Sequence, residues 1–214
     1  MTRVAIIGAG NLGVQLAHHL GAVGGLDAVG FFDDSQDPGG LVSGLPVLGP
    51  IDDVATSHAA GVFDALLMGI GYHHMQRRAE LHETLRAVAP FATLVHPTTI
   101  LDVTAQVAQG AVIYPGGIVD LNARIGANTL LNVGCLVAHD STIGDNCFLS
   151  PGVAVAGFVT VEDGVVLGIG TVVIDNVRIA SGVRTGAGAV VTRDLLEPGL
   201  YVGIPATLKK RLKP

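Results

Sequence analysis

From Val95 onward an aliphatic residue stands at every sixth position, through Leu101, Val107, Ile113 and on to Val191, with Thr185 as the one departure. Four places after each comes a second site that is small or β-branched, among them Ala111, Ala123, Thr129, Cys135, Ser141, Cys147 and Val153. A period of six fits neither the 3.6-residue helix nor the two-residue alternation of a simple hairpin sheet. It is the period of a parallel β-helix, a prism whose coils each take three hexads, about 18 residues. Residues 91–194 make roughly five and a half such coils, stacking to a height on the order of 26 Å at the spacing of paired strands. The hexad count is unbroken, so no long loop leaves the prism. Whatever it binds must lie on its flat faces or against a neighbouring copy.

The composition agrees with a narrow core. Glycine is abundant at 30 residues, aromatic residues are 4% and tryptophan is absent. A thin prism with tight corners admits Val, Ile, Ala and Thr but not Trp. With 49% hydrophobic and 14% charged residues, 214 residues can bury a large core as one domain or two. The net charge of −6 and the absence of a basic stripe argue against nucleic acid as a partner. Basic residues gather only at the end, in Lys209, Lys210, Arg211 and Lys213. Cys135 and Cys147 both fall at the small inward site but on different faces, so buried, unpaired thiols are expected rather than a disulfide. The sequence enters a strand directly, with no leader pattern and no apolar stretch of membrane-spanning length, and a cytoplasmic location without a membrane partner is expected.

Residues 1–90 read differently. Val4-Ala5-Ile6-Ile7 is a short buried strand, followed by Gly8-Ala9-Gly10-Asn11-Leu12-Gly13 and a helix through His19. Ala28–Phe32 is a second strand, ending at Asp33-Asp34. A loop over 35–50 holds a short strand at Pro46-Val47-Leu48. Ala65–Ile70 is another buried strand, and Tyr72–Val88 a helix with Arg, Glu and His on its outer face. Strands alternating with helices imply a small parallel sheet, a Rossmann-like α/β domain preceding the all-β prism of residues 91–214.

Two places could carry chemistry. Gly8, Gly10 and Gly13 match G-x-G-x-x-G between a strand and a helix, with Asp33 at the end of the next strand. Such glycines let a backbone approach phosphate, and the acid can bind a ribose hydroxyl or a base edge. The motif alone points to NAD, yet the domain is too short for two mononucleotide-binding halves. The plainer reading is that the glycines only permit close helix–strand packing. Gly69-Ile70-Gly71-Tyr72 is a second glycine turn expected on the same sheet edge. In the prism, His139 falls at an outward corner with Asp140 directly after it. A carboxylate beside a histidine orients the ring and raises its basicity, which suits a general base; a solvated corner residue is the plainer reading. Only His96 and His139 lie in the repeat, too few for a zinc site, so no metal is expected.

The glycine turn, Phe31-Phe32-Asp33-Asp34, Gly69-Ile70-Gly71, Leu94-Val95-His96-Pro97, the repeat with His139-Asp140, and a terminal Val202-Gly203-Ile204-Pro205-Ala206 follow one another in order. In this the chain resembles, over essentially its whole length, the family of sialic acid O-acetyltransferases and nucleotide-aminosugar N-acetyltransferases of the bacillosamine and perosamine type. The resemblance implies a left-handed β-helix and a homotrimer with acetyl-CoA between neighbouring prisms. It implies an N-terminal unit that holds the nucleotide of a sugar rather than NAD. Gly10, Asn11 and Leu12 would then form the phosphate-side turn, Asp33 and Asp34 the acidic pair near the nucleoside, and Gly71 the second turn. His139 would be the general base, Asp140 its supporting acid, and Phe148, Ile169 and Ala187 coenzyme contacts. Two positions depart from many relatives, which carry histidine where this chain has Leu12 and Phe148.

The activity so implied is acetyl-CoA-dependent N-acetylation of a UDP-, GDP- or dTDP-linked amino sugar. O-acetylation of a sialic acid or another sugar would use the same base. A third reading, from another class, is an NAD- or nucleotide-binding protein with the prism as an oligomerisation scaffold.

Overall fold

The computed structural model describes residues 1–212. The chain separates into two compact units, Met1–Leu94 and the remainder from Val95.

The first unit is a five-stranded sheet flanked by helices. Its elements are β1 (Thr2–Ile7), α1 (Asn11–Leu20), β2 (Leu26–Phe32), β3 (Leu41–Val42), β4 (Leu45–Gly49), α2 (Val54–Ala59), β5 (Ala65–Met68) and α3 (Met75–Leu85). The strand order is β3-β4-β2-β1-β5, parallel except for the β3–β4 hairpin. Ala5, Ile7, Phe32, Leu66 and Met68 pack with Phe63, Leu81 and Phe91 into a core. The six-residue α2 carries no apolar period and has no counterpart in the sequence reading. The segment read as one helix over Tyr72–Val88 begins as a 3-10 turn at Tyr72–His74, and the α-helix ends at Leu85.

That helix does not keep all of its Arg and His side chains on an outer face: Arg78 is 0% exposed and His82 is buried. Arg78 reaches under the end of β5, where its guanidinium donates to the carbonyls of Met68 at 3.0 Å and Ile70 at 2.8 Å. A charge is tolerated there because it closes the carbonyls of a strand end and the turn after it.

The second unit is the prism. Strands of mostly two residues stack in parallel at a spacing of 18, as Ile118 on Ile100 and Leu136 on Ile118. They make three faces of eight, six and five strands. Val137, Ile143 and Leu149 point inward and are at most 1% exposed. Thr185, the break in the series, is also buried. Its hydroxyl lies 2.7 Å from that of Thr171 and accepts the Gly168 N–H, so two polar side chains satisfy each other inside the core. Leu101 departs from the inward pattern and is exposed, because no coil lies beneath the first. The eight strands of the longest face include Gly199–Val202 and, at its end, the antiparallel Thr207–Arg211, whose Lys209, Lys210 and Arg211 are exposed. Lys213 lies outside the described residues. Both cysteines are buried and unpaired, and burial pushes their thiols up to about 11 for Cys135 and about 12 for Cys147.

The outward positions of the faces differ in chemistry. On the five-stranded face they are Gln106, Arg124, Thr142, Thr160 and Arg178. On the six-stranded face they are all aliphatic: Ile100, Ile118, Leu136, Ala154, Val172 and Val190. Exposed large apolar side chains of the coils also sit along its two edges, among them Leu121, Val133 and Ile169.

Candidate active site

In the first unit, every residue singled out from the sequence lies at the carboxyl ends of three adjacent strands. The turn after β1 holds Gly8 to Gly13, Asp33 and Asp34 follow β2, and Gly71 follows β5. The glycines divide by role. A Cβ on Gly13 would meet the Gly8 carbonyl oxygen at 2.0 Å, and one on Gly69 would meet the Gly8 and Ile7 oxygens at 2.9 Å. These two exist for packing, which joins the two turns. Gly10 and Gly71 have nothing within 4 Å of the added atom. They are open, and each precedes a helical turn without a side-chain cap.

The acidic pair also divides. Asp33 accepts the Ala9 N–H at 2.7 Å, and on its other oxygen the Ser35 N–H and hydroxyl at 2.8 and 2.6 Å. Partial burial pushes its carboxyl up, but these hydrogen bonds, led by the Ser35 hydroxyl, hold it below the ordinary range. Asp33 thus fixes the glycine turn to β2. Asp34 is exposed, accepts the Ile51 N–H at 2.8 Å, and faces Arg77 across 4.0 Å.

In the prism, His139 and Asp140 stand at the corner between the six- and five-stranded faces. Asp140 has φ +57, and this left-handed turn brings its carboxylate back to the ring. Oδ2 lies 3.0 Å from His139 Nδ1, and Oδ1 accepts the Asn122 amide at 3.0 Å. Asn122 and then His139 lower the Asp140 carboxyl below its ordinary value. The carboxylate therefore holds Nδ1 as the protonated nitrogen, leaving Nε2 to accept a proton. Beside the imidazole lies Gly157, where a Cβ would be 2.7 Å from Cε1 and 2.8 Å from Nε2. The Phe158 ring meets the imidazole edge to face, centroids 5.2 Å apart.

Asn122, Gly157 and Phe158 escaped the sequence reading, although a signal existed. Each lies one coil, 18 residues, from Asp140 or His139, and neighbours in adjacent coils are found by that step. The three expected coenzyme positions do not join His139 within one chain. Ile169 and Ala187 are stacked, exposed, at the opposite edge of the six-stranded face, linked by the Gly188 N–H to the Ile169 carbonyl at 2.8 Å. Phe148 is buried on the eight-stranded face between Leu130 and Val166. Among the described residues no three His, Cys, Asp or Glu side chains gather as a metal site, and no helix is long and apolar enough to cross a membrane.

Residues 122–157 match the family model described as bacterial transferase hexapeptide (six repeats). No curated protein sequence matches the chain. Among solved structures, a perosamine N-acetyltransferase from Caulobacter crescentus is 30% identical. The match covers 98% of this chain and 97% of that one, with a TM-score of 0.91, and that protein was solved with CoA and GDP-perosamine after one histidine was replaced by asparagine. The acetyltransferase domain of PglB from Neisseria gonorrhoeae, solved with acetyl coenzyme A, is 25% identical over 97% of this chain and 98% of that one, TM-score 0.89. WeeI from Acinetobacter baumannii is 25% identical over 97% and 100%, TM-score 0.81. By fold and repeat the protein is a left-handed β-helix acyltransferase with an N-terminal α/β unit. Within that class the chain belongs to the family of nucleotide-aminosugar N-acetyltransferases and sialic acid O-acetyltransferases that its motifs resemble.

Proposed function

We propose that the protein transfers an acetyl group from acetyl-CoA to the amine of a nucleotide-linked amino sugar, with His139 as general base. The observation that carries this is the corner itself, where an exposed histidine has Nδ1 held by a carboxylate and Nε2 left to accept a proton. His139 Nε2 takes a proton from the amine as nitrogen bonds to the acetyl carbon, the carbon–sulfur bond breaks, and the proton passes to the departing thiolate. Asp140 holds the ring and stabilises the imidazolium in between. Backbone N–H groups of a neighbouring coil are suited to the oxyanion. Neither cysteine serves as an acyl carrier, since both thiols are buried and raised well above neutral pH.

The nucleotide belongs at the carboxyl edge of the first unit's sheet. Open Gly10 and Gly71, with Asn11 and Leu12 at the start of α1, suit its phosphates, and Asp34 suits the nucleoside. Asp33 contributes by fixing the turn. The assembly is a homotrimer packed through the six-stranded face, because an aliphatic outward column with apolar edges needs a partner. That packing lets the Ile169–Ala187 edge of one copy supply an apolar surface for the coenzyme beside the His139 corner of another. Phe148, being buried, acts by shaping the face. His139→Ala should lower kcat by about 10² to 10⁴ with both KM values little changed. An alanine variant that keeps most of its acetyl transfer would remove His139 from the reaction.

A further inference from the structure

From Gly110 to Gly188 each corner of the prism turns on a residue in the left-handed conformation. Two corners use only glycine or asparagine, such as Gly134 and Asn128, while the third uses Asn122, Asp140, Phe158 and Asn176. Asparagine and aspartate accept this backbone because a short polar side chain bonds locally; a bulky aromatic does not. Phe158 has φ +56 and is 56% exposed, so core burial does not account for it. Backbone strain of this kind persists where the surroundings over-determine it, and it gathers at functional sites.

The surroundings of Phe158 all lead to His139. The two rings are edge to face at 87°, and the Phe158 N–H donates to the His139 carbonyl at 3.2 Å. Buried Ser141 brackets the segment: its hydroxyl donates to the Ala156 carbonyl at 2.7 Å and accepts the Val159 N–H at 3.0 Å. Gly157, between those two anchors, leaves only backbone beneath the imidazole. Asp140 alone fixes one nitrogen but leaves the ring free to swing about that bond.

We propose that Phe158 is a positioning residue for the acetyl transfer, its ring holding the His139 imidazole over the Gly157 backbone so that Nε2 faces the acceptor amine. This rests on His139 being the base. The coil one turn above the base thus supplies a second constraint, independent of the carboxylate, and tolerates a strained backbone to do so.

The test compares Phe158→Asn, which suits the left-handed corner, with Phe158→Tyr, which keeps the ring. Displacing a base by a fraction of an ångström should lower kcat of the asparagine variant by about 10- to 100-fold, with both KM values within about twofold. The tyrosine variant, retaining the edge-to-face pair, should recover kcat to within about threefold of wild type. If the asparagine variant does not fold, Phe158→Leu, which keeps bulk without a flat ring, should show the same loss. A readout independent of substrate is the NMR shift of the His139 ring protons, displaced by the Phe158 ring current in the wild type and the tyrosine variant and not in the asparagine variant. Unchanged kcat in the asparagine variant overturns the proposal. So does a loss confined to acceptor KM, which would make the ring a substrate contact. So do His139 resonances that do not move. A wild-type protein inactive on nucleotide-linked amino sugars refutes the functional reading instead, and the NMR shift then decides the ring contact by itself.

Discussion

Gly157→Ala perturbs the base without touching its chemistry. Gly157 does not sit in the left-handed region, so alanine suits its backbone; the obstacle is space. The added methyl would stand 2.7 Å from His139 Cε1 and 2.8 Å from Nε2. Ordinary carbon–carbon contact requires the imidazole to retreat by roughly 0.7 Å or more. The ring is half exposed at a corner, so it can move, and the fold survives. The retreat strains the 3.0 Å bond to Asp140 and carries Nε2 away from the acceptor. A misplacement of that size should cost about 10²-fold in kcat, with KM values close to wild type. Gly164→Ala is the contrasting control. It has φ +70, nothing within 4 Å of the added atom, and a place on the corner between the five- and eight-stranded faces. Its penalty is backbone strain, about 1–2 kcal/mol, read as a lower Tm by several degrees with kcat retained. Steady-state kinetics beside thermal melts separate the two. A Gly157→Ala enzyme with wild-type kcat would refute the placement of His139 as the base.

Asp140→Asn should lower kcat less than His139→Ala, with both KM values little changed. The carboxyl of Asp140 is held below its ordinary range by Asn122 and then His139, so the group that orients the ring is a carboxylate, and an amide in its place orients it more weakly; a loss as large as that of His139→Ala would contradict this. Asp34→Ala should raise the acceptor KM more than the acetyl-CoA KM, and the reverse pattern would place the nucleotide elsewhere. Val172→Arg puts a charge on the aliphatic face and should dissociate the proposed trimer in sedimentation, whereas a trimer left intact would assign the interface to another face.

Apart from exposed Leu101 in the first coil, the prism was legible because its rule is local and repeated. Val137, Ile143 and Leu149 point inward where the six-residue count places them, and buried Thr185 is compatible because a hydroxyl partner lies within reach. The Rossmann-like unit was legible by its strands, which are short apolar runs. Its helices were not bounded as well: α2 has no apolar period, and Arg78 was placed outside by its charge although strand-end carbonyls hold it within. His139 and Asp140 could be found as neighbours in sequence. Their neighbours Asn122, Gly157 and Phe158 were within reach of the 18-residue step and were missed, because the six-residue count was followed along the chain and not across coils. The sequence by itself determined the period, the faces and the corner that carries the histidine, because side-chain direction along a strand follows from spacing alone. Only the tertiary structure decided which glycines are open and which are packed, that Asp33 is committed to its own turn, and that the imidazole rests between Gly157, Phe158 and Asp140. Those are distances between residues far apart in the chain, and spacing does not contain them.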